Sequence, residues 1–183
     1  MKNFSYIAKL ALTLLIITAL VAAALAGVNA LTKDKIAAIA AEKTQKAVSQ
    51  VLEGTATQLT LSGDTGMVQS VYQSEDGYAV QVICSGFGGD ISMMVGVSND
   101  STVTGISIIS HAETAGLGSV AGESTSKGES FRGQYVSQSG SLAVDKDGGS
   151  IDSITSATIT SRAVTEGVNA ALEFVKTLTE ARN

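Results

Sequence analysis

The sequence contains no proline and no tryptophan, a single cysteine, a single histidine and few aromatic residues. Each shortage excludes something. With only Cys84, the chain can form no intrachain disulfide, no cysteine-based metal site and no cysteine-ligated iron–sulfur cluster. Cys84 lies in the strand-like run YAVQVICSG, where a small buried apolar residue is expected. His111 has no second histidine and no carboxylate cluster beside it, so no metal centre is expected. It also lacks the nucleophile partner that general-base work needs, and no catalytic residue is assigned. A net charge of −5 and a pI near 4.8 leave no basic footprint for nucleic acid. With aromatics at 4 %, the hydrophobic 44 % of the chain must build its core from Ala, Val, Ile and Leu.

Much of that apolar weight lies at one end. No charge interrupts the chain between Lys9 and Lys33, and the run from Leu10 to Leu31 is long enough to cross a bilayer as a helix. The small residues Ala24–Ala26 resemble a signal-peptide cleavage site, but the run exceeds the roughly 7–15 residues of a signal h-region. An uncleaved anchor over residues 10–32 is expected, after a short segment 1–9. Lys2 and Lys9 precede it, whereas Lys33, Lys35, Lys43 and Lys46 follow it. The lysine count taken alone would put the C-terminal side in the cytoplasm, a rule that long domains weaken.

Beyond the anchor, Ile36, Ala40, Ala47, Val48 and Val51 recur at helical spacing up to Gly54, which predicts a helical stalk over residues 33–54. The pattern then changes. MVQSVY, YAVQVIC, ISMMVGV and TVTGISII are strand-like runs separated by Gly, Asp, Asn and Ser. Gly86–Asp90 and Ser98–Thr102 read as the loops between them. Met93 and Met94 alternate on one strand, so at least one faces the core. From Ser110 to Ser150 periodicity is weak, apart from a possible short helix near Ser119–Phe131, and so long an irregular stretch suggests a functional loop. The last segment is amphipathic, with Val164, Val168, Ala171, Leu172, Val175 and Leu178 on one face. The fold class is therefore α+β: an N-terminal transmembrane helix and stalk, then a small antiparallel sheet packed with helices over residues 55–183.

Just ahead of that last helix the chain reads DSITSATITSRAV, Asp152–Val164. One reading is structural: Thr160 or Ser161 caps the helix and the other hydroxyls line a turn. The other is an anion site, since a helix N-terminus offers free N–H groups and partial positive charge. A phosphate ester on Thr158 would be stabilised there, and Arg162 would face that anion.

Asp152-Ser153-Ile154-Thr155-Ser156-Ala157-Thr158 resembles the flavinylation motif, in which an Asp, two variable residues, Ser/Thr, Gly/Ser and Ala precede a Thr. Gly86–Gly118 resembles the central region of FMN-binding domains in the G subunit of the Rnf complex and the C subunit of the Na+-translocating NADH:quinone reductase. The family's His-x-Glu-Thr-Pro-Gly-Leu-Gly stands here as His111, Glu113, Thr114, Gly116, Leu117 and Gly118, with Ala115 in place of Pro. The N-terminal span followed by NALTKDKI resembles the Rnf subunit.

The resemblance covers nearly the whole chain and implies FMN held covalently on Thr158 through a phosphoester, attached by a Mg-dependent flavin transferase that uses FAD. It implies cofactor contacts from Thr155, Ser156, Ala157, Arg162, Glu113, Thr114, Leu117 and Gly118; for His111, without a metal or nucleophile partner, a loop-structuring hydrogen bond is expected. It further implies a single-pass protein of the cell (inner) membrane, its N-terminus cytoplasmic and its FMN domain on the extracytoplasmic face. The partners implied are the other membrane, iron–sulfur and flavin subunits of an ion-translocating ferredoxin:NAD+ oxidoreductase. No nicotinamide motif is present, so the enzyme would be the complex and not this chain alone. The C subunit of the quinone reductase and a free-standing anchored flavoprotein are the alternatives.

Overall fold

The computed structural model describes residues 2–61 and 65–180. The chain divides into two compact units, residues 1–42 and 43–183. The first is a length of helix α1 (Lys2–Val51). Its side chains from Leu10 to Leu31 are exposed, and it holds an 18-residue window of mean hydropathy 2.5 with none of it buried. By length and composition this helix can cross a membrane, as the uncharged run implies.

The second unit is built on a five-stranded antiparallel sheet in the order β1-β2-β3-β4-β5 (Thr57–Leu59, Val68–Gln73, Gly77–Ser85, Asp90–Ser98 and Val103–Ser110). The last four coincide with the strand-like runs. The short edge strand β1 pairs Thr57–Leu59 with Val71–Gln73 and carries no apolar alternation to announce it. The two expected loops are there, at residues 86–89 and 99–102. The irregular stretch holds a 3-10 turn (Gly118–Gly122), helix α2 (Ser126–Gly133) and a second 3-10 turn (Asp145–Asp147). Helix α3 (Thr158–Glu180) ends the described chain.

Both faces of the sheet are covered, because successive residues of a strand point to opposite sides. On one face Val80, Val82, Met93, Val95 and Val97 pack against Val164, Val168, Ala171 and Val175 of α3, with Cys84 buried among them. Burial pushes the Cys84 thiol up to about 11, so the lone cysteine is an inert core residue. Gly167 lets α3 approach the sheet: a Cβ there would stand 2.3 Å from Met93 Cε. Phe131 and Tyr135 meet edge to face at 5.6 Å, and the Tyr135 hydroxyl bonds to Thr165 Oγ1 at 2.8 Å.

The other face corrects the expected stalk. Ala47, Val48, Val51 and Leu52 are buried against Tyr72, Ala79 and Met94, so the last turns of α1 belong to the domain. They fit because cross-strand partners Ala79, Gly96 and Gly105 form a row of small residues over three strands. A Cβ on Gly96 would lie 2.3 Å from the Val51 carbonyl oxygen. Thr104 Oγ1 donates to that same oxygen at 2.7 Å, and Ser107 Oγ donates to Gln50 Oε1 at 2.6 Å. Met93 and Met94 are both fully buried, one in each layer. The domain thus starts near Lys43 and not at Thr55.

A boundary experiment follows. A chain starting at Thr55 loses the burial of Val48, Val51 and Leu52, each worth ~1.5–3 kcal/mol, and exposes Met94. A chain starting at Lys43 keeps all of it. Thermal melts of the two should put the longer one well above the shorter; equal melting temperatures would return residues 43–54 to a stalk.

Candidate functional site

The hydroxyl-rich segment begins after Ile151 and is held in place before the helix starts. Gln134 Oε1 accepts from the Asp152 N–H at 2.7 Å and Gln134 Nε2 donates to the Asp152 carbonyl at 3.2 Å, the pairing a strand neighbour would give. Asp145 Oδ1 accepts from the Ser153 N–H at 3.0 Å. The Ser153 hydroxyl, then Lys146 and the Ser153 N–H, hold the Asp145 carboxyl well below the usual carboxylate range. A turn follows, with the Ala157 N–H donating to the Ile154 carbonyl at 2.9 Å and Ser156 at φ 64°. That left-handed conformation favours glycine and tolerates small polar residues, the choice shown at this motif position.

Helix α3 begins at Thr158, so neither Thr160 nor Ser161 caps it; both lie inside its first turn with their side chains buried. Ser161 Oγ accepts from the Ile154 N–H at 2.9 Å and donates to the Ala157 carbonyl at 3.0 Å. Thr160 Oγ1 donates to Glu113 Oε2 in a short hydrogen bond. The other carboxylate oxygen of Glu113 accepts from the Gly88 N–H at 2.9 Å. Glu113 is buried and carries these two bonds in a low-dielectric position, where a charge-assisted bond is strong. Gly118 is required beside it: a Cβ there would lie 2.4 Å from Glu113 Oε2 and 2.5 Å from Thr160 Oγ1. His111 Nδ1 accepts from the Glu113 N–H at 3.3 Å, a loop-structuring contact, while its exposed ring lies against Gly122. His111 and Glu113 thus point to different neighbours despite their alternation.

Around this bridge lies a cleft of about 390 Å³ lined by Phe87, Glu113, Thr114, Leu117, Gly118 and Ser156–Thr160. Phe87, Leu117 and Ile159 are 69 %, 41 % and 50 % exposed at its rim, an unusual concentration of apolar surface on the domain. Thr158 sits in its wall at the start of α3, and α3 has no acidic residue in its first turn. Leu117 and Ser156 also line a second, larger cleft of about 650 Å³ that contains Thr155, Asp152, Lys127 and Gln134. Of the nine residues expected at the site, Thr158, Ser156, Ala157, Glu113, Thr114, Leu117 and Gly118 converge on the first cleft and Thr155 on the second. Phe87 escaped the sequence reading, although it stands inside the Gly-rich loop. No group of acids, histidine and cysteine suited to a metal ion occurs among the described residues.

Arg162 is the exception. It is the fifth residue of α3, one turn in, where the dipole penalty has largely fallen off. Its fork is engaged by Asp147, Nε to Oδ2 at 2.7 Å and Nη2 to Oδ1 at 2.6 Å. It forms an ion pair between the helix and the second 3-10 turn. The pair holds the Asp147 carboxyl below the usual carboxylate range.

An apolar-rimmed cleft, a helix N-terminus and a half-buried threonine at its first position fit a flat aromatic ligand carrying a phosphate. Residues 86–173 match the FMN-binding domain, and residues 1–51 match the RnfG N-terminal region. The G subunit of the ion-translocating oxidoreductase complex of Methanosarcina acetivorans is 30 % identical over 96 % of this chain and 97 % of its own length. The chain belongs to the G-subunit family of ion-translocating oxidoreductase complexes. The G subunit of the proton-translocating ferredoxin:NAD(+) oxidoreductase complex of Clostridium ljungdahlii is 43 % identical over 56 % of this chain, and the match spans 55 % of that relative. The match to the corresponding G subunit of Aliivibrio fischeri strain MJ11, at 41 % identity over 59 % of this chain, likewise spans only 53 % of that protein. The crystal structure of the C subunit of the Na(+)-translocating NADH-quinone reductase from Parabacteroides distasonis shares the fold. Its TM-score is 0.51 at 22 % identity, over 75 % of this chain and 83 % of that one.

Two substitutions separate the roles of these contacts. Thr160→Val leaves the Glu113 carboxylate one donor short and should cost ~1–3 kcal/mol of domain stability, with faster hydrogen exchange at the Gly88 amide. Unchanged exchange there would mean that the bridge does not hold the loop. Arg162→Ala should lower the melting temperature equally in the parent and in a Thr158→Ala background, because its partner is Asp147. A depressed carboxyl stabilises above its unfolded pKa, about 3.9, and the benefit is lost as pH falls through the lower folded value. The Arg162→Ala deficit should therefore be constant from pH 8 to 5 and vanish at lower pH; a deficit present only in the flavin-loaded parent would restore the phosphate contact.

Proposed function

We propose that this chain is the membrane-anchored electron-carrier subunit of an Rnf-type complex, with FMN attached covalently to Thr158. The observation that supports it is the placement of Thr158: first residue of α3, in the wall of the apolar-rimmed cleft. Bound FMN supplies reversible acceptance and release of electrons; the chain supplies position and environment.

The roles of the side chains follow from the cleft. A phosphoester on Thr158 Oγ1 stands at a helix N-terminus, where the dipole favours negative charge. In its formation the Thr158 hydroxyl displaces AMP from FAD: the bond between the two phosphates breaks, the new oxygen–phosphorus bond forms, and the hydroxyl proton leaves. This step belongs to a flavin transferase, with Asp152, Thr155, Ser156 and Ala157 as the segment it reads. Leu117, Phe87 and Ile159 offer the ring an apolar seat, and Gly118 leaves room for the Glu113–Thr160 bridge beside it. Glu113 acts through position, fixing the two loops that frame the seat. Arg162 serves the same purpose from outside by tying α3 to the 145–147 turn.

In this reading residues 10–32 cross the cell membrane once, with residues 1–9 in the cytoplasm and the FMN domain on the extracytoplasmic face. Covalent attachment suits that side, where a dissociated flavin would be lost. Electrons pass between ferredoxin and NAD+ through the assembled complex, whose other subunits carry the iron–sulfur and nicotinamide chemistry, and the flow drives Na+ or H+ translocation.

Thr158→Ala should abolish covalent flavin while leaving the domain folded. The measurement is intact mass under denaturing conditions, where the parent carries one FMN less a water and the variant does not, alongside in-gel flavin fluorescence. Flavin retained on the variant would move the attachment to Thr155.

A further inference from the structure

On the far side of the 118–122 turn from the flavin cleft lies a second kind of cavity, about 430 Å³, lined by Lys43, Lys46 and Gln50 of α1, Ser107 of β5, Ser124, and Glu129 and Arg132 of α2. We propose that this cleft is a binding site for a phosphate group, supplied either by free phosphate or by an anionic phospholipid headgroup.

Three observations carry it. The first is charge. In a chain of net charge −5 this cavity gathers three cations against one carboxylate. Among the described residues none of the three cations makes an ion pair: the bridges are Lys146–Asp145, Arg162–Asp147 and Lys176–Glu180. Lys43 and Lys46 stand three residues apart on one helix face, a repulsive spacing that an anion relieves. The second is the fixed fork of Arg132. Its Nη1 donates to the carbonyls of Ala121, at 2.5 Å, and Glu123, at 3.1 Å. That anchors the guanidinium, while Nε and Nη2 make no hydrogen bond among the described residues and stay available for an oxyanion. The third is the wall. Gly122 lines the cleft, and the His111 ring backs it, with Nε2 3.1 Å from where a Cβ of Gly122 would stand. His111 Nδ1 accepts from the Glu113 N–H, which leaves Nε2 to carry the ring proton.

Lysine point charges, an immobilised arginine fork and neutral donors on Ser124 and on Gln50 Nε2, whose Oε1 is held by Ser107, together match a tetrahedral dianion better than a planar carboxylate. The site shares no lining residue with the flavin cleft, so it stands or falls apart from the flavin attachment.

The test uses the full chain in a maltoside micelle. Inorganic phosphate and monomeric dihexanoyl phosphatidylglycerol are each titrated by calorimetry, with chloride at matched ionic strength as control. Saturable binding of one probe is expected, weakened at least tenfold in Lys43→Gln/Lys46→Gln, whose circular dichroism and melting should match the parent because both positions are exposed on a helix. Arg132→Lys, which keeps the charge but loses the fork, should weaken binding by a smaller factor. Tighter binding of the phosphatidylglycerol assigns the site to lipid, and equal or tighter binding of phosphate assigns it to the free ion. No saturable binding of either probe, equal competition by chloride, or full binding by the double variant would overturn the proposal.

Discussion

The site depends on the buried carboxylate of Glu113. Its two oxygens reach two segments far apart in sequence, the Gly86–Gly89 loop through the Gly88 N–H and the first turn of α3 through Thr160. A buried carboxylate without partners would be costly, so each bond is needed for the other to be tolerated. The glycines follow from it. Gly86 and Gly118 both lack a Cβ where one would strike the Glu113 carboxylate, and Gly88 lacks one where it would strike the Ala112 carbonyl. The Gly-rich character of these loops is thus set by a single acid and the backbone that delivers it. Phe87 and Leu117 reach the rim of the cleft because the loops that carry them are held to α3 in this way.

A second constraint acts on the other side of the sheet. A sheet with one bare face would expose Ala79, Met94 and Tyr72, and the domain's own short helices are committed elsewhere. The last turns of α1 cover that face, and the row Ala79–Gly96–Gly105 makes room for them. The helix that carries the apolar run is therefore also a structural part of the domain through its final turns. Excising the domain at its apparent strand boundary removes part of its core.

Much of this is legible in the sequence. The four main strands, the amphipathic face of α3 and the apolar run are set by periodicities that survive in the structure with their boundaries nearly unchanged. The convergence of Glu113, Leu117 and Thr158 comes through a resemblance between motifs, since no local pattern places residues so far apart in one cleft. Long-range pairing is what local patterns cannot carry. Gly96 and Gly105 stand inside strand-like runs with no local pattern to explain them, and the helix lying across them gives them meaning. The stalk reads as free because its apolar face is short and rich in Ala. Arg162 points to a phosphate in the sequence because its partner, Asp147, lies in a turn of weak periodicity fifteen residues upstream.

The same limits explain the excess of hydroxyls ahead of α3. From Ser153 to Thr165 they divide by where the structure has turned them. Thr160, Ser161 and Thr165 face inward and donate to Glu113, the Ala157 carbonyl and the Ser161 carbonyl, so each is occupied in holding the start of the helix. Ser153 turns its hydroxyl to the Asp145 carboxylate, and Thr155, Ser156 and Thr158 make no side-chain hydrogen bond among the described residues. Of these, Ser153 and Thr155 open onto the larger cleft, and Ser156, which lines both clefts, is held at positive φ in the turn. Thr158 alone combines a free hydroxyl, a place in the apolar-rimmed cleft and the first position of a helix. A negatively charged ester is favoured there by the helix end and by the absence of any acid in the first turn. The inward hydroxyls are thus not redundant caps. They fix the helix start, and with it the place of the Thr158 hydroxyl in the wall of the cleft.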